Sequence, residues 1–182
     1  ILKEAEKLAY EGAKEIVIIA QDTTKYGLDI YGEEKLAELL SKLAKIKKIN
    51  WIRVLSSYPE NISDDLIQTI ASEDKICKYL DLPIQHCNDK ILLKMNRRTD
   101  KNNILNIIER LRQQIPNIHL RTSLIAGFPG ETEEQFKELK DFIQTVRFDR
   151  LGVFTYSREE GTAAANFADQ IPDHIKKKRQ NE

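Results

Sequence analysis

The chain has 182 residues, of which 41% are apolar and 32% charged, with Lys+Arg and Asp+Glu both numbering 29. That is enough apolar material for one cored domain, but no apolar run reaches the length of a bilayer span and no signal-peptide pattern opens the chain. A formal charge of zero lacks the basic excess of a nucleic-acid binder, so neither nucleic acid nor a membrane is expected as a partner.

The chain opens at Ile1 rather than Met, directly in a helical pattern, and reads as a fragment of a longer protein. Leu2, Ala5, Leu8 and Ala9 recur at helical spacing, and Gly12 is placed to end that helix. Glu15 to Gln21 is a continuous β-rich run, as expected for a strand buried on both faces, and it closes in the polar residues Gln21, Asp22, Thr23 and Thr24. A loop with Tyr26, Gly27, Tyr31 and Gly32 leads to a helix over Glu33 to Ile46.

The cycle then repeats. Trp51 to Ser56 is a strand, and Ser63 caps a helix carrying Leu66, Ile67 and Ile70. Lys78 to Pro83 is the next strand, closed by Gln85 and His86. Asn88 caps a short helix through Leu93, and Asp100 caps a longer one that Pro116 stops. Leu120 to Ala126 is a strand that stops at Gly127. A helix follows within a few residues, with Thr132 and Gln135 at capping-box spacing. Leu151 to Tyr156 is the last strand, the loop from Ser157 to Ile171 is long, and Asp173 begins a basic tail through Arg179.

The turn after Leu120 to Ala126 is the first candidate for chemistry, because glycine-rich turns at helix N-termini bind anions. A P-loop needs four residues between its glycines and then Lys-Ser/Thr. Here only Phe128 and Pro129 separate Gly127 from Gly130, and Glu131 follows, so a phosphate is disfavoured. Cys77 and Cys87 match neither a CxxC site nor a disulfide framework, which points to buried thiols and a reducing, cytoplasmic setting.

Alternating strands and helices imply a parallel sheet with right-handed crossovers, either a barrel wall or an open doubly wound sheet. Polar residues gather at every strand end: Gln21 and Asp22, Ser56, Gln85 and His86, the Gly127 turn, Tyr156 and Ser157. A doubly wound sheet concentrates its site at one switch point, whereas these favour a barrel wall facing one cavity. Five strands make that barrel partial.

Taken together, several pieces resemble the radical S-adenosylmethionine domain of the methylthiotransferase family. They are Ala20 to Gly27, Leu82 to His86, Leu93 to Arg97, Arg121-Thr122 through Thr132, and Gly152 to Thr162, in family order over nearly the whole chain. Within it, Ala-Gln-Asp, Gln-His and the ending Tyr-Ser-Arg-Glu-Glu-Gly-Thr are similar to the RimO-type branch rather than the tRNA-modifying one. The resemblance implies a partial TIM-like (β/α) barrel of the radical SAM type without its first strand. Residues 1–172 would form that domain, and 173–182 a solvated basic linker toward a C-terminal TRAM domain.

The implied reaction methylthiolates the β-carbon of an aspartate on a small-subunit ribosomal protein. S-adenosylmethionine, 4Fe-4S clusters and an electron donor take part. A tRNA methylthiotransferase and a non-catalytic docking module are the alternatives. The family's Cys-x3-Cys-x2-Cys cluster loop does not occur in this sequence, so the chain by itself is expected to hold no cluster and to be inactive.

The resemblance also assigns roles. Gln21 and Asp22 would approach the methionine amino group, or else cap the following loop. Ser56 joins them on the cofactor side, and Gln85 would bond the ribose hydroxyls. Arg97 and Arg121 would pair with the cofactor carboxylate. Ile125 and Gly127 would support the adenine, with Glu131 holding the turn. His86 is placed near substrate, against the alternative of a satisfied core histidine, and Tyr156 contacts substrate or adenine unless it is core. A barrel lacking its first strand leaves a sheet edge, through which a homodimer is expected.

Overall fold

The computed structural model describes residues 1–182. Five strands, β1 (Glu15–Ile18), β2 (Trp51–Val54), β3 (Ile76–Asp81), β4 (His119–Ala126) and β5 (Arg150–Thr155), form one all-parallel sheet in sequential order. Sequential order has no switch point. It is the arrangement of a barrel wall, in which every crossover steps to the next strand and every helix falls on the same side.

The helices are α1 (Leu2–Tyr10), α2 (Leu28–Tyr31), α3 (Leu36–Ala44), α4 (Asp64–Ser72), α5 (Asp89–Lys94), α6 (Lys101–Gln114), α7 (Glu133–Val146) and α8 (Asp173–Asn181). Their starts are locally encoded. The side chains of Ser63, Asn88 and Asp100 accept N-terminal amide protons of α4, α5 and α6, and Thr132 with Gln135 forms a complete capping box on α7. α2 and α8 are additions to the helices read from the sequence.

The core lies between the helices and one face of the sheet. Ile52, Val54, Ile76, Leu80, Leu120 and Leu124 meet Leu40, Leu43, Ile67, Ile70, Ile108 and Leu139 there, all buried. The opposite face is concave and open, with Val17, Trp51 and Phe154 exposed at 46%, 54% and 56%. This corrects the reading of the first strand as buried on both faces. β1 is an edge strand covered on one side only, and its apolar run is continuous because Val17 and Ile19 line the open side.

A register shift separates β2 from β3: Ile52 pairs with Ile76, but Val54 pairs with Leu80. Two extra residues on β3 carry it one pleat further along the barrel axis, about 7 Å. Lys78 uses the offset to donate from the helical side to the carbonyls of Ile70, Ala71 and Glu73 at the end of α4.

Candidate functional site

The carboxyl ends of the strands enclose a cavity of about 600 Å³. Gln21, Ser56, Gln85, Arg121, Ile125 and Tyr156, each anticipated from the sequence, line it together with Asp81, Ser123, Phe128 and Phe154. A separate groove of about 450 Å³ between α1, α3 and the segment from Tyr26 to Lys35 contains none of the strand-end residues.

Asp81, the last residue of β3, anchors the polar wall. Its Oδ1 accepts from Arg121 Nη1 at 2.6 Å, and its Oδ2 accepts from the Ser56 amide at 3.2 Å. Arg121 Nη1 also reaches Ser123 Oγ at 3.2 Å. The pairing follows from register, because Asp81 and Arg121 are direct partners across β3 and β4. Below it on the same face, the Tyr79 phenol is pushed up first by burial and then by the Asp81 carboxylate. Sequence reading passed over Asp81. Its signal was a lone acid set between Leu80 and Leu82, on the inward parity of its strand.

Two cavity residues hold left-handed backbone without being glycine, Ser56 at φ 56° and Gln85 at φ 66°. Such strain persists where surrounding bonds over-determine it. Gln85 donates its amide proton to the Ser123 carbonyl at 3.0 Å, and its own carbonyl accepts from Ile125 N–H at 2.8 Å. The backbone is thereby sewn to β4, while the side-chain amide is left facing the cavity.

The apolar wall is aromatic. Phe128 meets Tyr156 edge-on at 5.3 Å and Phe167 at 6.2 Å. The Tyr156 hydroxyl is buried without a hydrogen-bond partner.

Four expected residues are placed differently. Asp22 turns away and fastens the β1 loop to the β2 loop, accepting from Thr24 N–H, Thr24 Oγ1, Tyr58 N–H and Asn61 Nδ2 at 2.5–3.3 Å. It caps the loop, the second of its two readings. Arg97, expected on the cofactor carboxylate, does not line this cavity. Its buried guanidinium lies 3.9 Å from the Tyr58 ring centroid, and it donates to the Pro83 carbonyl at 3.2 Å.

His86, read either as a substrate-side group or as a core histidine, does not line the cavity either. It is fully buried, with Nδ1 accepting from Asn88 N–H at 2.9 Å and Nε2 3.4 Å from Glu131 Oε2. Gly127 flanks the cavity but does not open the backbone to a ligand. At φ 75° it lies against the chain itself, since a Cβ there would sit 2.5 Å from Lys176 Cγ. Its amide proton is donated to the Glu131 carboxylate at 3.1 and 3.2 Å.

The basic tail is also corrected. It is not a solvated linker: α8 packs on the sheet with Lys176 and Arg179 buried, and Arg179 Nη1 meets Glu131 Oε1 at 2.7 Å.

The cavity suits an adenosyl cofactor. It joins an aromatic wall to the side-chain amides of Gln21 and Gln85 and the Arg121 guanidinium, and it leaves the buried Tyr156 hydroxyl unpaired. A metal cluster does not suit these residues, because no three His, Cys, Asp or Glu side chains converge. Both cysteines are free, and burial pushes the Cys87 thiol up to about 12.

Residues 1–143 match the Radical SAM superfamily. The chain is 59% identical over 182 residues to the ribosomal protein uS12 methylthiotransferase RimO of Clostridium perfringens, covering 100% of this chain and 41% of that protein. Against the RimO of Alkaliphilus oremlandii it is 55% identical over 179 residues, 98% of this chain and 41% of that one. The chain thus spans about two fifths of the length of these relatives.

Among solved structures, the radical S-adenosylmethionine methyltransferase TsrM of Kitasatospora setae superposes with a TM-score of 0.67 at 15% identity, over 85% of this chain and 28% of that one. Elp3 of Methanocaldococcus infernus gives 0.60 at 16%, over 90% and 42%. At these identities the likeness is one of fold.

Proposed function

The chain belongs to the radical SAM superfamily, and from that premise we propose that it is the cofactor-binding barrel wall of a methylthiotransferase acting on the β-carbon of an aspartate in a small-subunit ribosomal protein. The observation that carries this reading is the convergence of Gln21, Ser56, Gln85, Arg121 and Ile125, contributed by four successive strands and the turns that follow them, on one cavity. Identity of 59% to a uS12 methylthiotransferase over the full chain supports the substrate class.

S-adenosylmethionine together with a 4Fe-4S cluster would supply hydrogen-atom abstraction from an unactivated carbon. The thiolates for a cluster come from outside these residues. The chain's own part is to bind, orient and exclude water. Arg121, oriented by Asp81, presents its remaining N–H edge to a carboxylate. Gln85 offers both donor and acceptor to ribose hydroxyls, and its strained backbone fixes where they fall. Ile125, Phe128 and Tyr156 close an apolar wall that keeps water from the reacting carbon. Gln21 stands across the cavity for the amino group. An electron donor, a cytoplasmic setting in keeping with two free thiols, and self-association through the β1 edge complete the proposal.

The test has two arms. Calorimetric titration of the chain with S-adenosylmethionine should show one site, weakened about tenfold or more by Gln85→Ala. The whole protein, anaerobically reconstituted, should add a methylthio mass to uS12 and none to tRNA. A mass gain on tRNA alone would move the reading to the tRNA-modifying branch.

A further inference from the structure

The turn from Gly127 to Glu131 is braced from behind by residues distant in sequence. Glu131 is the hub. Its side chain is fully buried, and both carboxylate oxygens accept the Gly127 amide proton. Arg179, on α8 and also buried, donates Nη1 to Glu131 Oε1 at 2.7 Å and to the Glu131 carbonyl at 3.1 Å, while its Nη2 reaches Glu133 Oε2 at 3.1 Å. His86 approaches the other oxygen. Its Nδ1 accepts from Asn88 N–H, and its Nε2 stands 3.4 Å from Glu131 Oε2 without forming a hydrogen bond.

Two further contacts brace the same turn. The Gly130 amide donates to the Asp169 carbonyl at 2.9 Å. The Lys176 stem covers Gly127, and its Nζ stands 5.3 Å from the centroid of the Tyr156 ring.

We infer that Arg179 is a positioning residue of the cavity, acting through Glu131 on the Gly127 amide. A buried carboxylate is tolerated only when paired and hydrogen-bonded, so Glu131 depends on Arg179 to be held in place. Glu131 in turn fixes the amide at the end of β4. Ile125 and Phe128, on either side of that amide, are cavity wall. α8 is therefore a working part of the site. The link to a ligand rests on the reading of the cavity as a cofactor site; the brace itself does not.

The experiment separates the two. In the ¹⁵N-labelled chain, the Gly127 amide should exchange slowly, and Arg179→Ala should accelerate it about tenfold or more, as expected for loss of a charge-assisted hydrogen bond. The amides of Ile52 and Val54 should change less than about twofold. Arg179→Lys, which keeps the charge and loses the fork, should fall between, and it carries the test should the alanine variant not fold.

Titration with S-adenosylmethionine should then show Arg179→Ala and Glu131→Gln each weakening affinity, with the double variant no weaker than the worse single one. An unchanged Gly127 amide, or equal acceleration at Ile52 and Val54, overturns the positioning role whatever the ligand does. Accelerated exchange with unchanged affinity retains the brace and removes its connection to the cofactor.

Discussion

Gly127 and Gly130 share one backbone conformation, φ 75° and 79°, yet alanine at the two positions should cost different amounts. Left-handed backbone in a non-glycine residue costs about 1–2 kcal/mol at either site. At Gly127 the new methyl would sit 2.5 Å from Lys176 Cγ, 3.1 Å from its Cβ and 3.3 Å from its Cα, atoms next to the α8 backbone that cannot swing aside. Overpacking of that kind adds about 1–3 kcal/mol.

At Gly130 the close atoms are the tips of Asp169 and Lys94, an ion pair whose side chains are 50% and 41% exposed. They can move apart at a cost of about 0–1 kcal/mol. Gly127→Ala should therefore lose about 2–5 kcal/mol and Gly130→Ala about 1–3. For a chain of this size the first corresponds to a fall in Tm of roughly 4–20 °C. Urea unfolding followed by circular dichroism measures both, since the single tryptophan, Trp51, is 54% exposed and reports poorly on the core. Adding Lys176→Ala should recover part of the Gly127→Ala loss and none of the Gly130→Ala loss. Equal losses at the two glycines, or no coupling to Lys176, would refute the reasoning.

Arg97 and Arg121 should separate by assay. Arg97→Gln should lower Tm by several degrees, because a buried cation loses the Tyr58 face and the Pro83 carbonyl, with S-adenosylmethionine affinity retained. Arg121→Lys should leave Tm nearly unchanged and weaken affinity about tenfold in calorimetry. A thiol reagent at neutral pH should label Cys77 and spare the buried Cys87. The folded pKa of Cys87 is raised to about 12, above its unfolded value near 9, so its contribution to stability is complete below about pH 9 and lost as pH rises toward 12. Cys87→Ala should flatten that slope in pH-dependent urea unfolding. Light scattering should show mass rising with concentration, and Val17→Lys on the β1 edge should suppress the rise.

What was legible in the sequence was local. Ser63, Asn88, Asp100, Thr132 and Gln135 cap helices within three residues of themselves, so their pattern suffices. The cavity was legible as a gathering of polar strand ends. Which of those residues face it was not, because that depends on distant partners. Asp22 is turned by Tyr58 and Asn61, His86 by Glu131, and Glu131 by Arg179, 48 residues on. Helical spacing places Lys176 and Arg179 three apart on one face, a signal that a run of four consecutive basic residues obscures.

The offset between β2 and β3 bears on how this strand can change length. Because two residues were gained rather than one, Leu80 still points toward the helices and Asp81 toward Arg121. Removing or adding a single residue between Ile76 and Leu80 would exchange those directions, setting a carboxylate in the hydrocarbon layer and a leucine at the mouth of the barrel. Natural variation in this segment should therefore come in even steps, and an odd one should coincide with loss of Asp81.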